Sequence, residues 1–245
     1  MIHHANTQAV LLVLTALLCP GEANAAASPP APVAPAPIAA PPPPPTEVIP
    51  GGISVEVWHH ATTAQAAAAA GGLTHSGVFT VIDYSRPATQ KRLWVVDAVT
   101  HRLLASDYVA HGYGSGDSVA ATRFSNQNDS HESSLGTFIT GAQFYGVRGR
   151  SLPLHGLEPG INDHAYARGL LIHGSPNVSE ARAQKGSQGV TEGCAGVPSS
   201  SAKRLIKLIG EGSVVFVWYP DRRLLEQSGY LDQEEAEERL SGEMQ

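Results

Sequence analysis

Gly169-Leu-Leu-Ile-His-Gly174 and, beyond a glycine-rich gap, Thr191-Glu-Gly-Cys-Ala-Gly-Val-Pro198 form the stretch on which the reading of this chain turns. The apolar run ends on His173 and Gly174, the pattern of a strand terminus. Cys194 follows Gly193 and stands five residues before a helix candidate. A histidine at a strand end and a cysteine in a glycine-flanked turn can meet across a hairpin-like excursion. An ordinary thiol, with a pKa of about 8.5, is only a few per cent thiolate at neutral pH, so it needs a base to act. His173 is the candidate base. Glycines beside the cysteine allow close backbone approach and free N–H groups to point at a developing oxyanion. A buried, inert cysteine is the alternative, but the Gly/Thr/Glu surroundings are too polar to suit it.

Working outward, short apolar runs separated by turn residues recur at 78–84, 92–97, 102–110, 136–141, 169–173 and 213–219, which predicts a mainly β domain. One helix is predicted at 199–209, with Ser199 to Ser201 as capping candidates, Ala202, Leu205, Ile206 and Ile209 on one face, and Gly210 as the stop. The polar, histidine-bearing intervals 112–134 and 145–168 read as long loops forming the walls of a cleft. Upstream, Ile53-Ser-Val-Glu-Val-Trp58 alternates like a short strand, and Ala61–Ala70 reads as a helix closed by Gly71-Gly72.

The flanks carry no core. Ala9 to Leu18 is an apolar run too short to span a bilayer, and Ala23-Asn24-Ala25 is a small-x-small cleavage site, so 1–25 reads as a secretion leader. Cys19 would leave with it, so one unpaired thiol, Cys194, would enter an oxidising compartment. A lipoprotein reading through Cys19 is disfavoured by the bulky Leu18. Residues 28–50 hold 11 of the 18 prolines, so 26–50 is expected to be a Pro/Ala-rich spacer reaching roughly 70 Å as polyproline II. The expected organisation continues with an N-terminal elaboration over 51–72, a catalytic domain over 73–220 and an acidic tail over 221–245. The net charge is −6, and six acidic residues against one arginine fall within 232–243; the tail 226–245 reads as a solvated helix or frayed end. No basic stripe suits nucleic acid, and no later stretch is long and apolar enough for a membrane helix.

Several motifs point elsewhere and weigh less. His155, His164 and His173 stand nine apart, a spacing that matches none of the short metal-ligand patterns, so no metal is expected. Gly112-Tyr-Gly-Ser-Gly116 lacks the Lys-Ser/Thr of a phosphate loop. Lys185-Gly-Ser-Gln-Gly189 narrowly misses the serine nucleophile elbow.

His173-Gly174, the gap and Thr191-Glu192-Gly193-Cys194 resemble the signature of the YkuD-like L,D-transpeptidases of bacterial cell walls, which runs His-Gly, a variable gap, then Ser/Thr-His-Gly-Cys. Arg92-Leu-Trp-Val-Val-Asp97, Ala110-His-Gly-Tyr-Gly-Ser-Gly116, Phe124-Ser-Asn126, Ser133-Ser-Leu-Gly-Thr-Phe138 and Gly156-Leu-Glu-Pro-Gly-Ile-Asn-Asp163 are similar to the proteobacterial murein branch. The resemblance covers roughly 78–220. It implies a β-rich sandwich or barrel-like catalytic domain with a few short helices. It also implies cysteine acyl transfer in the periplasm, without cofactor, between peptidoglycan stem peptides acting as donor and acceptor. Cys194 would attack an L-to-D bond, His173 would move the protons, and the Gly174 carbonyl would orient the imidazole. The N–H groups of Gly193 and Cys194 are the expected oxyanion donors. Glu192, where the family usually has His, is expected near the acceptor amine, with a bond to local backbone N–H groups as the alternative. Thr191, His155 and Arg168 are expected in the cleft. A monomer is expected. Hydrolysis at the same site, and a silent peptidoglycan-binding module, stay open as alternatives. So does the donor bond, which would yield 3–3 or 1–3 links.

Overall fold

The computed structural model describes residues 49–242; the expected leader, residues 26–48 of the expected spacer and residues 243–245 lie outside the described residues. Strands β1 (Val78–Asp83), β2 (Leu93–Asp97), β3 (Leu103–Asp107), β4 (Gly136–Thr140), β5 (Phe144–Gly146), β6 (Gly149–Gly156), β7 (Leu171–Ser175), β8 (Ala195–Pro198) and β9 (Val214–Trp218) join in one sheet. Its order is β3-β2-β1-β9-β4-β6-β7-β8, with β5 added on β6. The β1–β9 and β7–β8 pairs are parallel, and the rest are antiparallel. Just past β3, the Ala110 N–H donates to the Gly196 carbonyl of β8 at 2.7 Å. That bridge ties the two ends of the sheet and nearly closes it, giving the mainly β, barrel-like class the sequence predicts.

The strands form where β-branched and aromatic residues cluster. All five residues of β9, Val-Val-Phe-Val-Trp, are buried, as are four of five in β2. A strand buried on both faces reads as a continuous apolar run rather than an alternating one. Trp58, Trp94, Trp218, Phe79, Phe138 and Phe216 fill the interior. Helix α3 (Ser199–Ile209) follows β8 directly and buries Ala202, Leu205, Ile206 and Ile209, the predicted stripe. It lies behind β7, and Gly174 makes this possible: a Cβ there would sit 3.1 Å from the Ala202 Cβ. The predicted serine cap is not used. Pro198 occupies the N-cap position without a side-chain bond, while the Ser201 hydroxyl donates to the Asp107 carboxylate and to the Pro198 carbonyl.

Three expectations need correction. The segment expected as a strand, Ile53–Trp58, instead opens helix α1 (Val55–Ala70), capped by Ser54, whose hydroxyl accepts the Val57 N–H at 3.3 Å. Val57, Ala61, Ala64 and Ala68 recur at helical spacing on its buried face, a pattern longer than the six-residue alternation it overrides. Within 145–168, the segment expected as loop contains β6, eight residues central to the sheet. Pro153 in that run disguises it, since proline normally argues against an interior strand. Among the described residues the acidic tail is helical, as one of the two expectations had it, but not fully solvated. Helices α4 (Arg222–Gln227) and α5 (Gln233–Gly242) bring Leu224, Leu225, Leu231 and Ala236 into the core. Arg239 meets Glu56 of α1 at 2.8 Å. The short helix α2 (Glu180–Gln184) sits in the connection between β7 and β8.

Candidate active site

Parallel pairing of β7 and β8 sets Ile172 opposite Ala195 and His173 opposite Gly196. Paired residues on neighbouring strands share a face, and faces alternate along each strand. Ile172, Gly174, Ala195 and Val197 therefore turn toward α3, and His173, Ser175 and Gly196 turn to the other side. Continuing the register by one residue puts Cys194 on the His173 face. Strand spacing and rise place their Cα atoms about 8 Å apart, a span that an imidazole and a thiol bridge.

His173 is buried, and its Nδ1 lies 2.8 Å from the Gly174 carbonyl. A carbonyl only accepts, so Nδ1 carries the proton and Nε2 is the unprotonated, basic nitrogen. Nε2 is shut from solvent and has no hydrogen-bond partner among the described residues. Burial pulls the His173 pKa below the usual 6.5, which keeps the ring neutral; the Gly174 bond opposes this and Arg148 adds to it. The Cys194 thiol is 8% exposed and faces the Gly169 carbonyl at 3.6 Å. Burial pushes its pKa up, against the pull of the Leu171 N–H, Arg148 and Arg168, while Glu192 adds a push of the same sign. Both shifts favour a resting pair of neutral thiol and neutral imidazole, poised for proton transfer during attack rather than before it.

The turn before β8 is fixed by its own side chains. The Thr191 hydroxyl donates to the Cys194 carbonyl at 2.7 Å and accepts the Gly193 N–H at 3.2 Å. Thr191, expected in the cleft, is thus a brace of the turn. The same bond engages the Gly193 N–H, one of the two expected oxyanion donors, with the Thr191 hydroxyl. Gly193 has φ +119°, and a Cβ on it would meet the Glu132 carbonyl at 2.9 Å. The 112–134 loop wraps this turn. Gly112 lies against Gly193, the Tyr113 N–H donates to the Thr191 carbonyl at 2.8 Å, and the Ser133 hydroxyl donates to the Gly193 carbonyl at 2.9 Å. A buried Arg92 anchors the base of that loop, donating to the Val109 and Arg86 carbonyls and to His111 Nδ1 at 2.8 Å.

Two cavities are lined by residues near the cysteine, one by Gly169, whose carbonyl faces the thiol, and one by Glu192, two residues before it. One, about 680 Å3 and mainly apolar, is lined by Phe144, Pro153, His155, Tyr166, Gly169 and Leu171. His155 is stacked on Tyr166 at 4.3 Å, so it is an aromatic wall of this cavity. The other, about 320 Å3 and polar, is lined by Asn128, Asp129, His131, Arg168 and Glu192. Glu192 turns outward to His131 Nδ1 at 2.8 Å instead of bonding local backbone N–H groups, and His131 stacks on Tyr113 at 4.6 Å. Arg168 borders the polar cavity, yet its two terminal nitrogens are committed to the 125–134 segment. They reach the Ser125 and Glu132 carbonyls and the Ser130 and Ser134 hydroxyls. Arg168 thus stands at the cleft wall, as expected, and also pins the loop.

Sequence reasoning did not single out Ser133, whose hydroxyl reaches the Gly193 carbonyl, or the Gly169 carbonyl, which faces the thiol; no local pattern announces either. Arg148, in the β5–β6 turn, was also missed; it follows no motif and reaches the site only through the hairpin that Pro153 concealed.

A family model described as the L,D-transpeptidase catalytic domain matches residues 51–218. The chain belongs to the L,D-transpeptidase catalytic-domain family, a family of cysteine acyltransferases. No curated protein sequence matches the chain. Among solved structures it is similar to an L,D-transpeptidase from Mycobacterium smegmatis, at 14% identity over 58% of this chain and 59% of that one, with a TM-score of 0.36. It is similar to one from Xylanimonas cellulosilytica at 16% identity, over 66% and 78% of the two chains, with a TM-score of 0.36. It is also similar to the helical cell shape determining protein Pgp2 from Campylobacter jejuni, at 13% identity, over 57% and 46%, with a TM-score of 0.38. The first solved chains it matches are spanned over about half to three fifths of their length, 49% and 59%.

Proposed function

We propose that the protein is a periplasmic peptidoglycan L,D-transpeptidase whose nucleophile is Cys194 and whose base is His173. The observation that carries this reading is the His173 ring, with Nδ1 committed to the Gly174 carbonyl and Nε2 left unpartnered on the face that bears Cys194. In acylation, Sγ bonds to the carbonyl carbon of an L-to-D stem-peptide bond, and its proton passes to His173 Nε2. The carbonyl electron pair moves onto oxygen, where the Cys194 N–H receives it. Collapse breaks the C–N bond, and Nε2 returns the proton to the leaving amine, leaving a thioester. The side-chain amine of meso-diaminopimelate on a second stem then attacks, giving its proton through Nε2 to the departing thiol.

The apolar cavity beside Gly169 suits the donor strand, with His155 as part of its wall. The polar cavity with Asp129 and Glu192 supports reading this as the acceptor side, where the carboxylates attract the protonated amine and it sheds one proton to solvent before it attacks. Residues 1–25 serve as an export leader, 26–50 as a spacer, and the protein works as a monomer. Among the described residues no helix is long and apolar enough to cross a membrane.

The test is incubation of the protein with purified disaccharide-peptides and mass analysis of the products. Cross-linked dimers, absent with Cys194→Ser or His173→Ala, are the expected result, and fragmentation of the dimer assigns 3–3 or 1–3 links. Trimmed monomers alone would make the protein a hydrolase. No product, with no carbapenem adduct on Cys194, would make it a binding module.

A further inference from the structure

We propose that Ser133 is a positioning residue that aims the Cys194 backbone N–H at the oxygen of the attacked carbonyl. This rests on the acyl-transfer reading above. With the Gly193 N–H held by Thr191, the oxyanion depends on the Cys194 N–H, so whatever sets the direction of that bond matters.

The Gly193–Cys194 peptide is planar, and in a trans peptide the C=O and the N–H point in opposite directions within one plane. Holding the Gly193 oxygen therefore fixes the Cys194 N–H. The holder is the Ser133 hydroxyl, 2.9 Å from that oxygen and contributed from 60 residues away in sequence. Proton counting fixes the sense of the bond. The Gly112 N–H donates to Ser133 Oγ at 3.0 Å and can do nothing else, while the Gly193 carbonyl can only accept. Tyr84, whose own hydroxyl donates to the Ala110 carbonyl at 3.4 Å, also neighbours Ser133, but the Gly193 oxygen, 2.9 Å from the Ser133 hydroxyl, is the acceptor within hydrogen-bond distance. A bond into the carbonyl also polarises the peptide and makes its N–H a better donor.

Ser133 cannot follow a wandering turn. It is 2% exposed, and its own N–H donates to the Ser115 hydroxyl at 2.8 Å. Its neighbours on both sides, Glu132 and Ser134, are held by Arg168. The hydroxyl sits where a small apolar side chain would satisfy packing alone. Its presence is explained by the direction it gives to the next peptide.

The experiment separates an electrophile that needs an oxyanion from one that does not. Full-length wild type, Ser133→Ala, Ser133→Thr and Ser133→Cys are timed by intact mass for acylation of Cys194 by a carbapenem and for its alkylation by iodoacetamide. Alkylation passes through no oxyanion and reports only the thiol and His173. Ser133→Ala is expected to slow acylation about 10- to 100-fold while alkylation stays within about twofold. Ser133→Thr keeps the hydroxyl and is expected to recover most of the acylation rate. Ser133→Cys, a weaker donor of similar size, is expected to fall between and serves where the alanine variant fails to melt cooperatively. Equal slowing of both reactions, or acylation at the wild-type rate in Ser133→Ala or Ser133→Cys, overturns the proposal. Wild-type protein that alkylates but never acylates overturns the acyl-transfer reading instead, and this assignment with it.

Discussion

Replacing Gly193 with alanine should damage the site more than the fold, and the structure supplies the magnitude. Gly193 has φ +119°, a region that side chains rarely enter, at a cost of about 1–3 kcal/mol. The added Cβ would stand 2.9 Å from the Glu132 carbonyl oxygen and 3.0 Å from Leu170 Cδ2. Leu170 has a flexible end, but the Glu132 carbonyl is held by Arg168 at 2.7 Å and cannot retreat. Overpacking of this kind costs roughly another 1–3 kcal/mol. For a domain of this size each kcal/mol is worth about 2–4 °C of melting temperature, so a fall between about 4 and 24 °C is expected. The turn must shift to relieve the clash, and Cys194 moves with it; a misplacement approaching 1 Å costs on the order of 100-fold in rate. Gly212→Ala is the control, since Gly212 has φ +73° with nothing within 4 Å of the added Cβ. It should lose about 1 kcal/mol and keep wild-type acylation. Thermal melts and carbapenem acylation of both variants decide the matter. Gly193→Ala with an unchanged melt and an unchanged acylation rate would refute the geometry.

Two further outcomes follow from groups already described. His60, His111 and His173 are buried, and burial holds their pKa values down, for His60 and His111 at about 4. The folded state therefore resists protons that the unfolded chain accepts near pH 6.5. Stability should be full above that pH and fall as the pH drops toward 4, by up to about 1.4 kcal/mol per pH unit for each group. Denaturant melts at pH 7 and pH 5 measure it, and superimposable curves would contradict it. Arg168→Gln removes bonds to two carbonyls and two hydroxyls of the 125–134 segment, and a loss of about 2–4 kcal/mol is expected. Because Arg168 pins the loop, its loss should slow carbapenem acylation and stem-peptide turnover by similar factors; loss confined to stem peptides would mean it binds substrate.

The strands rich in Val, Ile, Phe and Trp were legible because their composition and their turns agree, and so was α3, whose stripe follows helical spacing without interruption. The proposed nucleophile and base stand out in the sequence because a lone cysteine among glycines is chemically conspicuous. What escaped was structure carried by other means. β6 hides behind Pro153, and β8 is four residues with a glycine and a proline. The helical start at Val55 depends on the Ser54 cap and on alanines further along. Arg168 and Thr191 were placed in the cleft by position alone, but only their hydrogen bonds reveal that they support it. Ser133 could have been noticed as part of Ser133-Ser-Leu-Gly-Thr-Phe138, yet nothing local says that its hydroxyl serves a carbonyl 60 residues on.

The burial of Cys194 has a chemical consequence outside catalysis. Peroxide and disulfide exchange act on thiolates, and on exposed ones fastest. A thiol that is 8% exposed, with its pKa pushed up by burial, offers oxidants little of the reactive form and little room to reach it. On the proposed reading the nucleophile is thereby shielded between turnovers, and an oxidising surrounding becomes tolerable for an enzyme that depends on an unpaired sulfur.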